Sequence, residues 1–166
     1  DEVIALYGRL GVVIYDAENS LVKWQFLEDF DDIDASLIGS KSELITGDVD
    51  GDDRPDIIFS ESRQGTRSAK VRAFNGITGD ALWQFDFVGH RAQSMLLADV
   101  NGDGQSELLL SSLEPVSGPD ELMVFNYGLS DILWKSTEEL GPVRAMAVSD
   151  IDKDGELDIT YASPKK

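Results

Sequence analysis

The stretch DVNGDGQSELLL, residues 99–110, joins an acidic loop to an apolar run. Its opening places oxygen-bearing side chains at alternate positions, as in the loop of a calcium-binding helix–loop–helix. Such a loop ends in a bidentate Glu at its twelfth position, where this stretch has Leu110. The last carboxylate, Glu107, falls at the ninth position and is followed at once by three leucines. The pattern predicts a loop that enters a buried strand, not a helix.

Two more stretches share this form. DVDGDDRPDIIF begins at Asp48 and DIDKDGELDITY at Asp150, so the three copies stand 51 residues apart. The remainder of the unit repeats as well. Tyr15, Phe74 and Phe125 each lie nine residues before Trp24, Trp83 and Trp134, and Asp16, Asn75 and Asn126 directly follow those aromatics. The spacing from Trp to the next acidic loop is 16 residues twice and 24 once. The longer connection holds an acidic insertion, Glu28, Asp29, Asp31, Asp32 and Asp34. It is expected to be a solvated loop, with room for a further ion.

Within one unit lie four short apolar stretches: SELITGD (42–48), DIIFSES (56–62), KVRAFN (70–75) and ALWQFDF (81–87). They carry β-branched and aromatic residues and are separated by Gly, Asn, Asp and Ser. No segment has sustained helical periodicity, and NGITGD (75–80) suits a tight hairpin turn. Four antiparallel strands per unit of this length predict an all-β chain, a β-propeller segment of four-stranded blades. The expected blade units within a single domain, 1–166, are about 1–39 (partial), 40–89, 90–141 and 142–166 (partial). Glu2 aligns with Asp56, Glu107 and Asp158, so the first and last units are incomplete and the strands number about 13. About three blades fall short of a closed ring. The rest of a larger propeller, or another chain, is expected to cover the open ends. The repeated Trp is expected to wedge between neighbouring units.

Composition narrows the partners. The 166 residues include 14 basic and 32 acidic groups, a net charge of −18. Such a surface repels nucleic acid and anionic membranes, and no apolar run approaches the roughly 20 residues of a membrane helix. The absence of cysteine excludes disulfides and thiolate metal sites. Residue 1 is Asp and DEVIAL already has strand character, so a mature fragment or a piece of a longer chain is expected.

Numbering each loop from its first Asp, positions 1, 3, 5 and 9 are Asp48, Asp50, Asp52 and Asp56 in the first. They are Asp99, Asn101, Asp103 and Glu107 in the second, and Asp150, Asp152, Asp154 and Asp158 in the third. All offer oxygen, and the backbone carbonyls of Arg54, Gln105 and Glu156 at position 7 would add a ligand each. Calcium takes six to eight oxygens in flexible geometry, whereas magnesium demands a tighter octahedron. Position 6 must turn sharply, which suits Gly104 and Gly155 and is tolerable for Asp53. Metal-free Asx turns have a similar composition. Three copies in register favour ions, about three calcium in all, because bare carboxylates this close repel one another. The second loop is weakest, with the neutral Asn101 and the longer Glu107.

These residues resemble the FG-GAP (integrin alpha-subunit-like) β-propeller repeats and their bacterial relatives. The pattern Asp-x-Asp/Asn-x-Asp-Gly-x-x-Asp before an apolar strand matches in all three loops, with Asp53 for the usual Gly and Glu107 for the usual Asp. The resemblance implies structural calcium between the first two strands of each blade and ligand binding on the opposite face. FNGITGDALWQF, residues 74–85, also looks like the repeat of quinoprotein-type eight-bladed propellers. That family includes quinone-dependent dehydrogenases, and it does not carry calcium loops in each blade.

A catalytic constellation is not evident. His90 is the only histidine and lies in the connection FVGHRAQ, where it is expected to be bland. The connections away from the acidic loops hold Arg63, Arg67, Lys70, His90, Arg91 and Arg144, either scattered solubilising charge or a site for an acidic partner. The expected function is therefore a noncatalytic extracellular, cell-surface or periplasmic module that binds protein or carbohydrate. The alternatives are the propeller part of a polysaccharide-degrading enzyme and a quinoprotein-type dehydrogenase. Sites of moderate calcium affinity fill outside the cytosol, which sets the expected compartment.

Overall fold

The computed structural model describes residues 2–7, 11–27, 42–62, 68–88, 91–113, 120–126, 131–137 and 141–164. Thirteen strands run through them. They are β1 (Glu2–Tyr7), β2 (Gly11–Asp16), β3 (Val22–Leu27), β4 (Ser42–Gly47), β5 (Asp56–Ser62), β6 (Ser68–Phe74) and β7 (Ala81–Val88), then β8 (Arg91–Ala98), β9 (Glu107–Leu113), β10 (Leu122–Phe125), β11 (Ile132–Lys135), β12 (Ala145–Ser149) and β13 (Asp158–Ala162). They form four antiparallel meanders: β1-β2-β3, β4-β5-β6-β7, β8-β9-β10-β11 and β12-β13. The acidic insertion at 28–34, His90, Arg63 and Arg67 lie outside the described residues.

The sheets stack in chain order, because strands with apolar residues at both alternating sets of positions need cover on both faces. In β5, Ile57 and Phe59 face the first sheet and Ile58 faces the third; all three are at most 1% exposed. The seam between the first and second sheets is built from Val12, Ile14, Trp24 and Phe26 against Ile57, Phe59 and Phe74. The seam between the second and third sheets sets Val71, Phe85 and Phe87 against Met95, Leu108, Leu110 and Phe125. A smaller third seam joins Leu122 to Val143, Met146 and Ile159.

One distortion recurs in every described hairpin between a third and a fourth repeat strand. The register slips between Ile14 and Tyr15, between Ala73 and Phe74, and between Val124 and Phe125. In each case the residue just before the Trp (Lys23, Leu82, Leu133) is the extra one. Such bulges re-aim side chains. The Phe of the third strand then faces one neighbouring sheet while the Trp of the fourth faces the other.

The hairpin turn at 75–80 is gripped from outside. Asn75 and Asp80 close it through the N–H of Asn75 on the carbonyl of Asp80, and Gly79 donates to the carbonyl of Asn75. Trp24 lies across this turn from the first sheet and donates its indole N–H to the carbonyl of Gly76 at 3.2 Å. Gly79 has φ +77°, and a Cβ there would sit 2.7 Å from the Trp24 ring. Gly102 has nearly the same φ, +76°, but open space around it. The pair separates two costs: left-handed strain of about 1–2 kcal/mol and overpacking of about 1–3 kcal/mol. Gly79→Ala is therefore expected to destabilise the protein by about 1–3 kcal/mol more than Gly102→Ala in urea unfolding.

Candidate metal-binding loops

Each acidic loop connects the first two strands of its sheet: β4 to β5, β8 to β9, β12 to β13. The position-9 carboxylates Asp56, Glu107 and Asp158 open β5, β9 and β13, so the strand starts where the twelfth-position ligand of a helical loop has not yet arrived.

Four hydrogen bonds recur in all three loops. The position-1 carboxylate accepts the N–H of position 6, from Asp53 at 2.8 Å, Gly104 at 2.9 Å and Gly155 at 3.0 Å. The position-3 side chain accepts the N–H of position 5, from Asp52, Asp103 and Asp154. The position-5 carboxylate accepts the N–H of position 7, from Arg54, Gln105 and Glu156. The position-9 carboxylate reaches back to the N–H of position 2, from Val49, Val100 and Ile151. Backbone N–H groups thus hold at least one oxygen of each of these side chains, and both oxygens of Asp48, Asp99 and Asp150.

The carboxylate oxygens of Asp48, Asp50 and Asp56 lie within 4.8 Å of one another, and so do those of Asp150, Asp152 and Asp154. Either cluster has the chemistry to chelate a divalent cation. Asp52 and Asp158 stand outside these clusters, and the second loop brings no three carboxylates together in this way. There Asn101 takes another course. Its amide nitrogen donates to Asp103 at 3.1 Å and to Glu107 at 3.0 Å, tying two carboxylates with neutral N–H groups.

Electrostatics differ around the loops. Burial raises the Asp56 pKa above the usual carboxylate range, against the N–H groups of Val49 and Gly76, and the charges of Asp50 and Asp52 add to the rise. Burial likewise raises Glu107, helped by Asp103 and Asp99. At Asp48 burial pulls the same way but is outweighed by N–H donors from Gly51, Asp53, Asp50 and Asp52, so its pKa is lowered. At Asp56 and Glu107 the protein's own N–H donors do not fully offset the cost of burying the charge.

Position 6 is left-handed as expected: Asp53 at φ +62°, Gly104 at +89° and Gly155 at +95°. Position 4 is left-handed too, with Gly51 at +82°, Gly102 at +76° and Lys153 at +63°. Sequence reasoning missed this second turn, although glycine at that place in two loops was its signal. It also missed that the neighbouring hairpin reaches the first loop. Asn75 donates to Asp50 at 3.4 Å, and the N–H of Gly76 donates to Asp56 at 3.3 Å. Asn75, the Asx residue that follows the aromatic in this unit, makes one of these contacts through its side chain.

The far ends of the sheets carry part of the basic set. Lys70 and Arg91 are half-buried and Arg144 is exposed. A further cation was not foreseen. Arg72 is buried against the Phe26 ring at 5.0 Å and pairs with the buried Glu61 at 3.8 Å.

Comparison with known proteins finds no relative: no family model, no curated protein and no solved structure matches the chain.

Lys153 and Asp53 hold a conformation that glycine adopts freely. Lys153→Gly and Asp53→Gly keep the backbone donors in place, and each is expected to raise stability by about 1 kcal/mol in chemical denaturation.

Proposed function

We propose that the chain is a calcium-stabilised segment of a β-propeller whose role is to bind a protein or carbohydrate ligand outside the cytosol, without catalysis of its own. The observation that carries the metal part is the hydrogen-bond skeleton repeated in three loops 51 residues apart. Asx turns formed for local reasons alone need not share four bonds at the same positions. The oxygen donors are hard and mostly anionic, which fits calcium among the common divalent ions. The position-1, -3, -5 and -9 side chains would hold the ion: Asp48, Asp50, Asp52 and Asp56, then Asp99, Asn101, Asp103 and Glu107, then Asp150, Asp152, Asp154 and Asp158. The carbonyls of Arg54, Gln105 and Glu156 are the proposed position-7 ligands. The propeller part is supported by four-stranded meanders stacked in chain order with a Trp at each fourth strand.

An ion in such a loop links two strands and neutralises carboxylates that the fold crowds together, so its binding energy adds to folding stability. Calcium is expected to raise the melting temperature of chelator-treated protein, with magnesium less effective. A melt that neither chelator nor millimolar calcium moves would overturn the metal assignment.

The three loops are not equal. Asn101 already bridges Asp103 and Glu107, so calcium must displace two hydrogen bonds there and meets one fewer charge. Isothermal titration is expected to resolve two tighter sites and one weaker. Asn101→Asp should strengthen the weak site about tenfold, while Asp50→Ala and Asp152→Ala each remove one tight site.

A further inference from the structure

The chain has four asparagines, followed in sequence by Ser20, Gly76, Gly102 and Tyr127. Asparagine before glycine has a chemistry of its own. With no side chain in the way, the glycine nitrogen can reach the asparagine Cγ and close a five-membered imide. Two such pairs occur, Asn75–Gly76 and Asn101–Gly102, and the fold treats them in opposite ways. Ring closure must swing the glycine peptide, and Gly76 is held on both sides. Its N–H donates to Asp56 at 3.3 Å, and its carbonyl accepts the Trp24 indole N–H at 3.2 Å. The Pro55 carbonyl fills the space beside its Cα, and both Asn75 and Gly76 are half-buried.

Asn101 and Gly102 are exposed, and Gly102 has open space where a side chain would stand. The groups that the reaction needs surround them. The Gly102 N–H donates to Asp99 Oδ1 at 2.7 Å, so a carboxylate is within reach of the proton that the attacking nitrogen must lose. Asn101 Oδ1 accepts the N–H of Asp103 at 2.8 Å, a donor for the charge that grows on this oxygen as the nitrogen adds. Asn101 Nδ2 donates to Asp103 at 3.1 Å and to Glu107 at 3.0 Å. The departing nitrogen thus lies between two acceptors that favour its ammonium form. Around Asn75 the matching carboxylate contact of Nδ2 is longer, 3.4 Å to Asp50.

We propose that Asn101 is a site of self-modification, at which the second acidic loop converts its own amide to a carboxylate. The Gly102 nitrogen bonds to Asn101 Cγ and gives its proton, through Asp99, to Nδ2. The Cγ–Nδ2 bond breaks, ammonia leaves and a succinimide remains. Water then opens the imide at one of its two carbonyls. Opening at Cγ restores the chain with aspartate at position 101, and opening at the main-chain carbon leaves isoaspartate, with the chain running through Cγ. The sum is amide plus water to acid plus ammonia, with no oxidant or reductant. The aspartate form carries carboxylates at positions 1, 3, 5 and 9, as the first and third loops do. It also loses the neutral N–H ties to Asp103 and Glu107. The isoaspartate form adds one carbon to the backbone and takes the loop out of register with its donors. The chemical step rests on the loop's hydrogen bonds alone, whereas its effect on calcium rests on the metal reading above.

The test incubates the full chain, folded and free of calcium, at neutral pH. Conversion is followed by anion exchange, which reads the added negative charge, and by peptide mass spectrometry with isoaspartate detection. Asn101 is expected to convert at least tenfold faster than Asn75 in the folded chain, and at a similar rate to Asn75 in urea. Gly102→Ala should slow the folded-state reaction at least tenfold by crowding the nitrogen. Asp99→Asn, which keeps an acceptor for the Gly102 N–H but removes the base, should do the same, with circular dichroism confirming that both variants fold. Rates at Asn101 and Asn75 within twofold of each other in the folded chain, conversion at neither, or an Asp99→Asn rate within twofold of the parent overturn the proposal. Calcium titration of the separated aspartate form is expected to show a tighter second-loop site. Calcium binding to neither form would sink the metal reading and leave the conversion rates, and the modification they establish, as they stand.

Discussion

A sheet with two apolar faces cannot stand alone in water, and this constraint organises the molecule. The second and third sheets carry hydrophobic side chains on both faces, so each must find a neighbour on either side. Aromatic rings supply much of the contact, because one Phe or Trp buries a large area and rings pack well in tilted pairs. The bulge before each Trp makes the arrangement repeat, since it sends the Phe of the third strand one way and the Trp of the fourth the other. The buried Arg72 fits the same logic. Its guanidinium lies over the Phe26 ring, where weak hydration lets a cation share an apolar seam, and Glu61 answers its charge.

Much of this architecture was legible in the amino-acid sequence because repetition multiplies a weak signal. One run such as DIIFSES is ambiguous, but the same run at a fixed distance from an acidic loop and a Trp is a strand, and β5, β9 and β13 begin at the expected ninth loop position. The left-handed turn at position 6 was legible for the same reason, even where Asp53 replaces glycine. Position 4 escaped because Lys153 broke the glycine pattern, and a lysine with positive φ goes against its own propensity. The contacts from Asn75 and Gly76 to the first loop escaped for a different reason. They join residues 20 and 25 positions apart, and spacing alone does not say which turn leans on which loop. The pairing of Arg72 with Glu61 was hidden in the alternation of β5 and β6, where both positions look like ordinary exposed charges until both faces of the sheet are known to be covered.

The loops illustrate how a backbone can gather like charges. Each carboxylate accepts one or more nearby N–H groups, and the sum of these bonds offsets part of the repulsion among the acidic groups. That compensation falls short at Asp56 and Glu107, which burial raises. In the second loop an amide group stands where the others have a carboxylate, and it satisfies its neighbours internally. The repeat has therefore kept its backbone geometry while letting its charge vary.

The backbone of Gly76 holds two tasks at once. Its N–H binds Asp56, the buried end of the first acidic loop, and its carbonyl binds Trp24 of the neighbouring sheet. A side chain at that residue would run into the Pro55 carbonyl, so the contact can be made only by glycine. The loop and the seam are thus joined through one residue by two hydrogen bonds. Anything that shifts the Asp56 carboxylate moves the floor on which the indole rests, and Trp24 becomes an intrinsic optical reporter of the loop's state on the far side of the sheet boundary.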